Sequence, residues 1–236
     1  MARLARVVIP HVAHHITQRG NRRLPIFFSD ADRVAYLAEL AAACAATGTR
    51  CLAWCLMDNH VHLILVPQSV DGLRATLGEA HRRYTRRINF REDWRGFLFQ
   101  GRFASYPMDD GHLIAAVRYV ENNPVAAGMV RRAEDWRWSS ARSHVAGRRT
   151  AHDPLTDVAA LGLHVRNWRA LLRYGAELGD ADANGAAAAG AIEARLRTGR
   201  PLGAAAWVAR QAAELDRPLA PAKRGPKPRP KPGFAN

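Results

Sequence analysis

Two histidines one residue apart, His60 and His62, and a tyrosine, Tyr119, followed one helical turn later by Asn122 and Asn123, are the residues of this chain best suited to chemistry. In a strand, residues two apart project from one face, so His60 and His62 offer two imidazoles that one metal ion can bridge. Tyr119 belongs to a stripe His112, Ala115, Ala116, Tyr119, Asn122, Asn123 at three-four spacing, beside an apolar stripe Leu113, Val117, Val120. A helix buried purely for packing would seldom carry a tyrosine hydroxyl, two alanines leaving space above it and two carboxamides one turn later. With a reference pKa of about 10, such a hydroxyl would need help before it could act as a nucleophile at neutral pH. On spacing alone two plainer readings stay open: an amphipathic helix with a boundary tyrosine, and a chance His-x-His in a chain with 10 histidines.

The elements that position these groups follow from the apolar pattern. Val7 to Gln18 is β-prone and ends in the turn Arg19-Gly-Asn-Arg-Arg23. Asp30 is placed to cap a helix over Asp32 to Ala46, with Val34, Leu37, Leu40 and Ala41 at helical spacing and Gly48 as its stop. Arg50 to Met57 and His60 to Pro67 are apolar runs too short for helices, joined by the turn pair Asp58-Asn59. A second helix is predicted over Asp71 to Asn89, with Leu73, Leu77 and Ala80 inward and Arg82, Arg83, Arg86 and Arg87 outward. Phe97 to Met108 reads as a strand, and Asp109-Asp110 opens a third helix expected to end at Pro124. The order βαββαβα predicts an α+β, ferredoxin-like split βαβ fold, an antiparallel sheet with helices on one face and a further helix appended.

Length and composition set the frame. The 236 residues allow a main domain over 1–150, a helical extension over 151–216 and a basic, proline-rich tail over 217–236, disordered in isolation. Within the extension, Leu155 to Tyr174 can form helix, Asp180 to Gly190 is an Ala/Gly-rich link, and Ile192 to Leu215 reads as helix, turn, helix about Thr198 to Pro201. No apolar run approaches a membrane span and no secretory signal opens the chain, so a cytoplasmic, nucleoid-associated protein without a membrane partner is expected. Cys44, Cys51 and Cys55 make neither a disulfide framework nor a thiolate zinc site and are expected as buried thiols. The balance of 35 Lys+Arg against 21 Asp+Glu, a net charge of +14, points to a polyanionic partner.

Five motifs then carry a resemblance: His14-His-Ile-Thr-Gln-Arg-Gly-Asn-Arg22, Leu56-Met-Asp-Asn-His-Val-His-Leu-Ile64, Phe99-Gln-Gly-Arg-Phe103, Arg118-Tyr-Val-Glu-Asn-Asn-Pro-Val125 with Ala127-Gly128, and Trp138-Ser-Ser140. Types and order resemble the HUH-type single-tyrosine transposases, in particular the REP-associated tyrosine transposase branch. The resemblance implies that His60 and His62 bind a divalent ion, that Tyr119 is the nucleophile, and that Asn123 completes the metal site. The family usually has an apolar residue before Asn-Pro where this chain has Asn122, which leaves the third ligand open between the two carboxamides. Two imidazoles and a carboxamide oxygen, with no thiolate, favour Mg2+ or Mn2+ over zinc. The extension after about residue 150 is shared with only some members of the family.

The function expected is a transposase, a single-stranded DNA endonuclease and strand transferase that cleaves hairpin-associated sites through a 5′-phosphotyrosine. The second reading is a DNA-binding repressor or hairpin binder without strand transfer. A single strand or a DNA hairpin is the expected partner, of a monomer or a homodimer. Candidate DNA contacts are Arg19, Arg22 and Arg23 at a strand end, Arg82, Arg83, Arg86 and Arg87 around Tyr84, and Arg102 in the Phe99–Phe103 motif. Tyr84 is the second candidate nucleophile, though it lacks a carboxamide one turn on. The units Lys223-Arg-Gly-Pro and Lys227-Pro-Arg-Pro read either as minor-groove hooks or as a solubilising tail.

Overall fold

In the computed structural model, which describes residues 6–162, 164–177 and 187–220, the chain runs β1 (His14–Arg19), α1 (Asp30–Thr47), β2 (Arg50–Leu56), β3 (His60–Val66), α2 (Gly72–Glu92), β4 (Ala104–Pro107) and α3 (Asp110–Ala126). The strands form one antiparallel sheet in the order β2-β3-β1-β4. This is the split βαβ order expected, with α3 appended.

Side-chain alternation sorts the strands into two faces. Val61, Leu63 and Leu65 of β3 turn with Ile16 and Trp54 toward α1 and α2. Ile64 and Val66 turn with Ala53, Cys55 and Tyr106 toward α3 and the C-terminal helices. Helices therefore cover both faces, not the one face expected, because β2 and β3 are apolar on both sides. Each fully buried Leu or Ile side chain there contributes about 1.5–3 kcal/mol. The three cysteines are buried thiols, as expected.

Several elements differ from the sequence reading. The N-cap of α1 is Ser29, whose side chain accepts from the Asp32 amide, while Asp30 lies in the first turn. Arg33 takes an inward position on that helix and pairs with Asp58, which turns Val34 out to 56% exposure. β1 begins only at His14, since Pro10 and the left-handed His11 (φ 63°) bend the chain before it. β4 begins only at Ala104, after Gly101 at φ 62°. α3 continues through Pro124 to Ala126. A proline disfavours the helical region for the residue before it without forbidding it, and here Asn123 Nδ2 donates to the Tyr119 carbonyl one turn back, at 2.8 Å.

Beyond α3 lie α4 (Ala141–Ala146), α5 (Ala159–Gly162), α6 (Trp168–Glu177), α7 (Ala187–Thr198) and α8 (Ala205–Glu214). The expected helix over Leu155 to Tyr174 is thus two short ones, and Asn167 starts the second by accepting from the Ala170 amide at 3.0 Å. The pair α7 and α8 about Thr198 to Pro201 agrees with the sequence reading, but Ala187 to Gly190, read as link, already belong to α7. Leu202 donates to Pro107 O at 2.9 Å and accepts from the Asp109 amide at 3.1 Å, which covers the outer edge of β4. Residues 217–220, read as tail, are packed: Leu219 is buried with Val7 and Ile9. Most of the expected link and both Lys-Arg-Pro units of the tail lie outside the described residues.

Candidate active site

Four elements bring one cluster together on the α3 face of the sheet. In the β1–β3 register, Thr17 lies opposite His62 and Arg19 opposite His60. Directly opposed residues of an antiparallel pair share a face, so β1 delivers His15 and Arg19 to the side that carries the two histidines. β4 adds Tyr106, paired with His15 in register. α3 crosses above with Tyr119, whose ring centroid lies 5.7 Å from that of His62 and 5.8 Å from that of His15, both edge-on. His60 and His62 are 5.0 Å apart by the same measure. The tyrosine and the histidine pair singled out by spacing are therefore neighbours in space.

The hydrogen bonds orient the imidazoles. His60 Nδ1 lies 2.7 Å from Asn59 Oδ1, and an N–H there donates to the carboxamide oxygen. His62 Nδ1 lies 3.0 Å from His15 Nε2, and His15 Nδ1 lies 3.1 Å from the Tyr106 hydroxyl. One consistent tautomer set has His62 Nδ1–H donating to His15, and His15 Nδ1–H donating to Tyr106. His60 and His62 then both keep Nε2 as a lone pair, the orientation that outer hydrogen bonds give to metal-ligating histidines.

Electrostatics keep these rings neutral. Burial holds His60 down to about 4, with the Arg19 guanidinium pushing the same way and Asp58 opposing it. His62 is held well below the ordinary histidine value by burial, then by His15, His60 and Arg19, and His15 is lowered to about 3 by burial. Neutral imidazole is the form that binds metal. Among the described residues, no group of three or more His, Cys, Asp or Glu is arranged to hold an ion. The Asn123 carboxamide suits a third ligand: only its Nδ2 is engaged, leaving Oδ1 to donate a lone pair. Asn122 is turned elsewhere, its Nδ2 donating to Leu172 O at 3.2 Å. Burial raises the Tyr119 hydroxyl above the usual phenol value, with Glu193 of α7 adding to the rise and Arg19 and the Asn123 carboxamide opposing it.

The other candidates divide. Arg22 and Arg23 are exposed in a 3₁₀ turn (Asn21–Arg23), both at positive φ (54° and 63°), and Asn59 Nδ2 donates to Arg23 O at 3.0 Å, tying that turn to the His60 corner. Arg102 is exposed beside the end of β1, where Gln18 Nε2 donates to Gly101 O at 3.2 Å. Arg82, Arg83, Arg86 and Arg87 are exposed on α2, across the sheet from Tyr119. Tyr84 is fully buried and donates its hydroxyl to Ile26 O at 2.5 Å, so it is a core residue and not a nucleophile. His112 closes the first turn of α3, with its ring Nδ1 2.5 Å from Asp109 Oδ1.

Sequence reasoning gave no role to His15, Tyr106 or Glu121. The strand alternation that paired His60 with His62 applies equally to His15 and Arg19, but only the register reveals which strand lies beside β3. Glu121 is completely buried and accepts from Ser140 Oγ (2.5 Å), His144 Nδ1 (2.6 Å) and Trp168 Nε1 (2.7 Å). It pins α3, two residues from Tyr119, to α4 and α6.

Residues 9–123 match the family model described as "Transposase IS200 like". Among solved structures, the chain is similar to one described as a REP-associated tyrosine transposase bound to a REP hairpin, at 22% identity and a TM-score of 0.54, covering 67% of this chain and 93% of that one. A transposase-like protein from Deinococcus radiodurans R1 aligns at 21% identity over 51% of this chain and 97% of its own, with a TM-score of 0.36. No curated protein matches the chain.

Proposed function

We propose that this chain, whose residues 9–123 match the model of IS200-like transposases, is a transposase that cleaves and rejoins single-stranded DNA at hairpin-associated sites, with Tyr119 as the nucleophile, as the resemblance to the REP-associated branch implies. The observation that carries this reading is the position of the Tyr119 ring, 5.7 Å from His62, over a face of neutral, oriented imidazoles.

The tyrosine oxygen attacks phosphorus, the bond from phosphorus to the 3′ oxygen breaks, and a 5′-phosphotyrosine and a free 3′ hydroxyl result. The phenol proton is lost and the leaving oxygen gains one, so the step is redox-neutral and needs no high-energy cofactor. Reversal by a second 3′ hydroxyl rejoins the strand. A divalent ion, Mg2+ or Mn2+, held by His60 Nε2, His62 Nε2 and Asn123 Oδ1, would polarise the phosphate and stabilise the leaving oxygen. Arg19, opposite His60, places a fixed cation where a phosphate would lie. With its hydroxyl held above the usual phenol value, Tyr119 stays protonated at neutral pH until phosphate and ion are in place. Arg22, Arg23 and Arg102 extend the cationic rim along which the strand would run.

Incubating the full chain with hairpin oligonucleotides from the flanks of its own gene and Mg2+ or Mn2+ tests this. A covalent DNA adduct mapping to Tyr119 is expected. Binding without an adduct, under conditions that leave the DNA saturated, would instead support the repressor reading.

A further inference from the structure

Among the described residues, the two most exposed aromatic rings lie at the end of α2 and just after it. Phe90, in the last turn of α2, is 90% exposed, and Phe97, in the loop after it, is 87% exposed. Phe90 lines two shallow clefts of about 540 and 550 Å3; four arginines of α2 and Glu39 line the first, and Arg86, Asn89, Asp93, Trp94 and Arg95 are among those lining the second. Exposed apolar rings bordered by polar side chains offer an interaction surface. The loop that carries Phe97 is held in place: the Trp94 amide donates to Asn89 O and Asn89 Nδ2 to Gly96 O, each at 2.9 Å, and Trp94 is braced edge-on against Phe28.

We infer that this ridge binds a second, single-stranded segment of DNA, whose unpaired bases stack on Phe90 and Phe97 while Arg86, Arg87 and Arg95 meet its phosphates. The inference rests on the DNA-processing reading above. Glu79 holds Arg82 and Arg83, but Arg86, Arg87 and Arg95 have no ion-pair partner among the described residues. Free guanidiniums alternating with exposed rings suit a strand whose bases offer π-faces and whose backbone offers anions. A duplex hides those faces, and a second copy of the chain would set Arg86 and Arg87 against their own equivalents. Tyr84, the aromatic that sequence placed among these arginines, is core. Phe90 and Phe97 take the part instead.

The test is fluorescence anisotropy of the full chain and its Phe90→Ser/Phe97→Ser double variant with a labelled oligothymidylate of about 20 nucleotides and with a duplex of equal length. Both rings are exposed, so the variant keeps its fold. Single-strand affinity is expected to fall about 10- to 100-fold, with duplex affinity changed by less than about threefold and hairpin cleavage at Tyr119 retained. Unchanged single-strand binding, or equal loss for both probes, overturns the inference. So does a ridge that the substitutions show to serve self-association or anionic phosphatidylglycerol vesicles while oligothymidylate binding stays intact. If the adduct forms at Tyr119 but the double variant binds like the wild type, this inference alone fails. If the wild type binds no DNA and forms no adduct, the proposed function fails with it.

Discussion

The two faces of the sheet use the same backbone for opposite ends. Toward α3, the strands present His15, His60, His62 and Tyr106, polar groups withdrawn from water and fixed by one another. Toward α1 and α2, they present Ile16, Trp54, Leu63 and Leu65, and the polar chemistry is pushed outward to the arginines of α2. Ionisation of the imidazoles is suppressed on the α3 face, while four arginines stand exposed along α2 on the other. Burial is the main cause: it costs a cationic imidazole its hydration and favours the neutral form, with Arg19 adding to the effect at His60 and His62, while a solvated guanidinium keeps its charge at little cost.

This contrast can be broken. The largest effect is expected for His62→Ala, which removes an imidazole from the α3 face. Metal-dependent cleavage should fall by at least about 100-fold, with oligonucleotide binding little changed; equal cleavage would show that the face is only structural. Glu121→Ala comes next, leaving three buried donors without their acceptor. A loss of about 3–5 kcal/mol is expected in urea unfolding, and a loss under about 1 kcal/mol would mean the network does not hold α3.

Smaller effects sharpen it. His14 and His60 are held to about 4 and His15 and His81 to about 3, in every case mainly by burial. The unfolded chain takes up these protons near pH 6.5, the native one only near 3–4. Depressed values therefore stabilise the native state above pH 6.5, and that stability is lost as the pH falls through the window from about 6.5 to about 3–4. A urea midpoint flat across this window would contradict the burial of neutral rings. The smallest effect is expected for Tyr84→Phe. It removes one buried hydroxyl and leaves Ile26 O unpaired, costing about 1–3 kcal/mol with cleavage intact; loss of cleavage would blur the distinction between the two tyrosines.

The sequence was most legible where periodicity and local chemistry agree. His60 and His62 share a face because β3 is a strand, and Leu113, Val117 and Val120 are buried because α3 is a helix. It was least legible where a tertiary partner decides. Val34 is exposed because Arg33 reaches Asp58. Tyr84 is core because Ile26 O accepts its hydroxyl. His15 joins the site through a register that no local pattern encodes. Glu121 sits on a helix between Tyr119 and two carboxamides, and the donors to its carboxylate arrive from α4 and α6, far along the chain.

The most direct measurement is denaturing electrophoresis and mass spectrometry of the Tyr119→Phe variant beside the wild type, each incubated with a hairpin oligonucleotide and Mn2+. A phosphotyrosyl adduct on Tyr119 is expected in the wild type and, in the variant, neither adduct nor cleavage despite unchanged hairpin binding. Cleavage retained by the variant would contradict Tyr119 as the nucleophile and point to water.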